Sequence, residues 1–150
     1  MKIPILKTIG FAALMLFGLL LIGCNYERDS HSFTSRDLEM IQTNIGVAIP
    51  AGSSGLNMYY QDFHAALHAK IQIPPESAQT LVDQIKRIPA EDIHDIESST
   101  NKWPWWTPTK PDVIIDKEFT RKPDGDFIHL ILCKEKDDGL WILYVEWATM

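Results

Sequence analysis

The chain has 150 residues, 45% of them hydrophobic and 23% charged, and its 14 basic and 20 acidic residues give a net charge of −6. This is the composition of one ordinary globular domain with a sizeable core, which excludes a disordered acidic tail and leaves no room for a second domain. The acidic balance also argues against a nucleic-acid binder, which needs a basic face.

The opening residues carry the most specific pattern. Lys2 and Lys7 make a positive start, and an apolar run over 9–22 follows. At 14 residues the run falls short of the ~20 that cross a bilayer as a helix, but it has the length of a secretory h-region. It ends in Leu21-Ile22-Gly23-Cys24, after which the chain turns polar. This arrangement resembles the lipobox of bacterial lipoproteins: an aliphatic residue, a tolerated residue, a small residue, then cysteine. The resemblance implies that residues 1–23 are a signal peptide cut after Gly23. Cys24 would receive a diacylglyceryl thioether, and the new amino group a further fatty acyl chain such as palmitate. Two or three chains hold a protein on a lipid bilayer, whereas one does so only marginally. Asparagine rather than aspartate follows the cysteine, which in this family implies the periplasmic face of the outer membrane where the host envelope has one.

Removing Lys2 and Lys7 with the leader leaves 12 basic residues against 20 acidic, a charge of −8. Cys133 is the only other cysteine, so with Cys24 acylated no intramolecular disulfide can form and a packed core must supply stability. Residues 24–36 read as the acylated cysteine and a flexible tether spanning at most ~40 Å; residues 37–150 read as a single domain. Thr34 and Asp37 form a capping-box-like start for a short helix through Leu38 and Ile41. Ile45, Val47 and Ile49 alternate before the loop Pro50-Ala51-Gly52-Ser53-Ser54-Gly55.

Leu56, Met58 and Tyr60 alternate, and so do Phe63, Ala65, Leu67, Ala69, Ile71 and Ile73, which predicts strands with one buried face. Gln61-Asp62 is either a tight turn between them or part of one long bent strand. A helix over about 75–88 follows, with Pro75 at its first position, Glu76 and Lys86 suited to its dipole, and an apolar stripe of Ala78, Leu81, Val82, Ile85 and Ile88. Pro89 stops it. Residues 112–116, or the longer stretch on to Phe119, predict another strand. Lys122-Pro123-Asp124-Gly125 predicts a turn, and 126–134 and 140–147 a hairpin. If Asp138-Gly139 is a two-residue turn, Leu132 faces Val145 and Leu130 faces Trp147; a four-residue loop would keep the same faces. One face is then Ile128, Leu130, Leu132, Leu143, Val145 and Trp147, and the other is mixed. The expected fold is α+β: a two-layer sandwich, mainly antiparallel sheet, covered by one principal helix.

Few residue groups suggest chemistry. His64 and His68 could share a metal on a helix, but on a strand they stand roughly 13 Å apart. His129 and Cys133 share a strand face without touching, and Cys133 reads as a small packed hydrophobe. Asp124-Gly125-Asp126 has too few oxygen ligands for calcium. Glu91, Asp92, Asp95 and Glu97 read as a solvated face, with His94 incidental. No metal, cofactor or catalytic set is predicted. The segment Lys102-Trp103-Pro104-Trp105-Trp106-Thr107-Pro108-Thr109-Lys110-Pro111 stands out. Its prolines rule out a regular helix, and Trp103, Trp105 and Trp106 would either stack on a protein or glycan partner or seal an edge of the sheet. The expected role is a non-enzymatic, membrane-tethered envelope binding module. The alternatives are a small cell-envelope hydrolase and an immunity-type lipoprotein that neutralises a basic envelope toxin.

Overall fold

A computed structural model describes residues 25–62, 65–89, 103–108, 112–121, 125–136 and 138–149. Cys24, Phe63, His64, and positions 91–97 and 122–124 lie outside the described residues. The elements run β1 (Asn25–Asp29), α1 (Ser35–Ile45), β2 (Ser54–Gln61), β3 (Ala66–Ile73), α2 (Pro75–Lys86), β4 (Val113–Arg121), β5 (Asp126–Lys134) and β6 (Trp141–Ala148). All six strands join one antiparallel sheet in the order β1-β2-β3-β6-β5-β4. The α+β class holds, and the Gln61-Asp62 question resolves as a hairpin between β2 and β3. Among the described residues no helix is long and apolar enough to cross a membrane.

Both helices begin as their sequences dictate. The Thr34 hydroxyl accepts from the Asp37 N–H while the Asp37 carboxylate accepts from the Thr34 N–H, so two orphan donors of α1 are satisfied reciprocally. Pro75 starts α2 with its fixed φ and no N–H to waste. Ile41 and Ile45 of α1 join Ala78, Leu81, Val82 and Ile85 of α2 in one core with Leu67, Ile71, Leu130 and Leu143 of the sheet. Cover of this front face is therefore shared by two helices rather than given by one. Arg121 ties the end of α1 to the sheet, donating to the Thr43 carbonyl at 2.7 Å and to Asp126 Oδ2 at 3.1 Å. Trp147 Nε1 donates to the same Asp126 oxygen at 3.1 Å, so this buried carboxylate is held between the indole and the Arg121 guanidinium.

Two expectations are corrected. The segment read as tether contains β1, paired residue for residue with β2 from Asn25↔Gln61 to Asp29↔Asn57. Its alternation places Tyr26 and Arg28 inward and leaves Asn25, Glu27 and Asp29 exposed. The β5–β6 hairpin has a four-residue loop, closed by Glu135 N–H to Leu140 C=O at 2.8 Å, with Gly139 at φ +69°. Leu132 thus faces Leu143 and Leu130 faces Val145. The predicted faces survive because the shift is two residues.

Candidate functional site

The back of the sheet, opposite the helices, carries a row of ionisable side chains. Antiparallel register aligns one polar row across all six strands: Glu118, His129, Glu146, His68, Tyr59 and Glu27. Toward the β5–β6 loop lies an apolar patch of Ile131, Cys133, Ile142 and Tyr144. The tryptophan segment lies on the apolar patch and on Tyr59 and His68 of the row.

That segment is a tight turn. Pro104 supplies the φ suited to the second position of a β-turn, and the Trp106 N–H closes it on the Trp103 carbonyl at 3.0 Å. Trp106 drops onto the apolar patch, 8% exposed, edge-on to Tyr144 at 5.3 Å and to His68 at 5.7 Å. It is a structural plug. Trp103 stacks on Tyr59 at 4.1 Å and on Trp105 at 6.2 Å with the two indoles only 17° apart. Both stay half-buried, and the Trp103 Nε1–H has no hydrogen-bond partner among the described residues. One ring is thus buried against the sheet and two are left half-exposed.

Trp105 forms one wall of a cleft of about 250 Å³ lined also by Glu27, Arg28, Asp29, Ser32, Asn57 and Met58. Asp29 is fixed there by the turn it caps, accepting from Ser32 Oγ and Ser32 N–H at 2.9 Å and from His31 N–H at 3.1 Å. The Ser32 bonds hold its carboxyl below the ordinary range. An indole plane beside two carboxylates, a guanidinium, an amide and a hydroxyl can receive a polar group with a cationic end or a polyhydroxylated ring. A second cavity of about 440 Å³ lies between Thr107, Pro108, Asp112, Cys133, Lys136 and Tyr144.

His129 is buried in the row together with Glu146 and His68. Its Nε2 lies 2.7 Å from Asp116 Oδ1, and its Nδ1 lies 3.6 Å from Glu118 Oε1 and 3.7 Å from Glu146 Oε2. Burial alone would lower its pKa, but the neighbouring Glu146, Asp116 and Glu118 carboxylates together raise it, Asp116 through a hydrogen bond. His68 flanks Glu146 from the other side in the row. So the structure brings His68 and His129 around one carboxylate, while neither lines either cavity named above. Among the described residues no three His, Cys, Asp or Glu side chains are placed to hold a metal ion. Cys133 is buried, and burial pushes its thiol up to about 11, with Asp112, Glu135 and Asp116 adding to the rise. That thiol is a packing group.

Glu27, Tyr59, Asp116, Glu118 and Glu146 were not singled out from sequence. The signal for Glu146 was the hairpin register, which sets it opposite His129 only with the four-residue loop. Compared with protein-family models, curated proteins and solved structures, the chain matches none.

Proposed function

We propose that the protein is a lipid-anchored module of the bacterial cell envelope, held through Cys24 on the periplasmic face of the outer membrane, that binds a partner without transforming it. The observation that carries this reading is the Trp103–Trp105 pair. Two stacked indoles braced on Tyr59 are held half-exposed beside the Glu27 and Asp29 carboxylates. Rigid aromatic surface of this kind binds with little entropy to lose. The cleft's two carboxylates outnumber its one guanidinium, Arg28, and this balance favours a cationic protein surface over a neutral glycan. In its sharper form the partner is a basic protein acting on the envelope, the immunity-type role, which the charge of −8 also supports.

The test is crosslinking in cells from a photoreactive residue at position 105, with one at exposed Asp83 on α2 as control. A specific adduct from 105 that is absent from 83 is expected. Identical adducts from both positions, or none, would refute binding through this cleft. A hydrolase reading has one observation in its favour, the gathering of His68, Glu146, His129 and Asp116. It predicts that His129→Gln abolishes turnover of envelope polymers while leaving the fold intact.

A further inference from the structure

Acylated Cys24 would sit one residue before β1, and this changes what the anchor does. Consecutive Cα atoms lie ~3.8 Å apart, and Asn25 is already laddered to Gln61. The slack expected of a tether is taken up by β1, its turn and α1. A lipid on Cys24 is therefore fastened to a corner of the sheet.

Register extends that corner into a rim. Asn25 aligns with Gln61, Ala66, Ala148, Phe127 and Thr120, one from each strand. With five inter-strand gaps of ~4.8 Å the rim is about 24 Å wide. We infer that this end of the sheet rests in the lipid headgroup layer and that the opposite end, with the β5–β6 loop and the cavity beside Lys136, points away from the membrane. The inference rests on the lipoprotein reading above. β5 runs nine residues, so at ~3.4 Å per residue the far end stands about 30 Å out when the sheet is upright.

The side chains agree with contact at headgroup depth and not deeper. Asn25, Asp62 and Thr149 are exposed and polar, Gln61 is half-buried, and Ala66 and Ala148 are small. Arg121 at this end is engaged with Asp126 and the α1 carbonyl. Among the described residues the large apolar side chain left exposed is Ile114, at the opposite end next to Val113, which pairs with Cys133. The described residues of the rim leave no large apolar side chain exposed and so offer nothing to insert into hydrocarbon. The Trp105 cleft, beside Glu27 and Asp29, then lies only a few residues up the sheet from the bilayer, facing sideways.

The acylated full-length protein tests this in vesicles of zwitterionic phospholipid bearing headgroup-attached nitroxide. Fluorophores are placed on single cysteines at Gln61→Cys, Thr149→Cys and Lys136→Cys; the buried Cys133 thiol stays unlabelled. Quenching severalfold stronger at 61 and 149 than at 136 is expected. A flexible twelve-residue linker inserted between Cys24 and Asn25 should remove that difference while the protein stays membrane-bound. Equal quenching at all three sites, or a difference that survives the linker, would overturn the orientation alone. Mass spectrometry showing no acyl chain on Cys24 would overturn both the orientation and the lipoprotein reading.

Discussion

Truncating Trp106 asks whether the tryptophan segment is part of the fold. The ring is 8% exposed and meets Tyr144, His68 and the patch of Ile131, Cys133 and Ile142. A buried tryptophan removes about 200–250 Å² from water, which at about 25 cal/mol per Å² bounds its contribution near 5–6 kcal/mol. Part of that returns, because a plug at the surface leaves a hollow that water can enter. Trp106→Ala should therefore cost about 3–4 kcal/mol, within the usual range for aromatic truncation. In urea, with a slope of about 1.5 kcal/mol per M, the midpoint falls by roughly 2 M. Trp105 is half-exposed, and Trp105→Ala should cost under about 1.5 kcal/mol. A drop below about 0.5 M for Trp106→Ala, or equal losses at both positions, would refute the separation of plug from platform.

His129 should give stability a dependence on alkaline pH. Its pKa is raised in the folded state, so protonation favours folding. The contribution is full below the ordinary histidine value near 6.5 and is lost as pH rises through the raised one. The difference in urea midpoint between wild type and His129→Gln should shrink across that window. A constant difference would show that the charge is not used. At Gly55 the Phe33 ring occupies the space a Cβ would need. Gly55→Ala should cost about 1–3 kcal/mol by thermal unfolding, and Phe33→Leu should recover part of it. With its thiol pushed up to about 11, Cys133 should resist iodoacetamide at pH 8 in the native protein and react fully in denaturant.

What could be read from sequence follows from how local each cause is. The α2 helix was legible because Pro75, the charged ends and the stripe from Ala78 to Ile85 are all local and agree. So was the α1 capping box, where Thr34 and Asp37 bond each other. β1 was not, since a five-residue edge strand buries one side toward the helices and has a single large apolar residue, Tyr26, to show for it. The front face of β5 and β6 was legible from alternation. Their back face read as mixed, yet Phe127, His129, Ile131, Cys133, Ile142, Tyr144 and Glu146 are all buried. Alternation reports that a face exists; it does not report a lid delivered by a distant loop.

The polar row explains why the hairpin has the register it has. With a two-residue turn at Asp138-Gly139, the front face would be as apolar as it is now, so hydrophobic pattern alone is indifferent between the two registers. The back face is not indifferent. In the observed register Glu146 lies between His129 and His68. In the alternative His129 would face Ala148 and Glu146 would face Ile131, leaving a buried carboxylate apart from its imidazole on β5. Glu146 would keep His68 as its neighbour on β3 but lose the His129 imidazole, so the back face favours the observed register. A buried polar row is expensive compared with an apolar one of the same shape, but an apolar row would fit both registers equally well. The same residues that cost stability at the centre of the sheet thus remove the ambiguity the loop leaves, and they fix the position of Tyr144 on which Trp106, and through it the exposed indole pair, is seated.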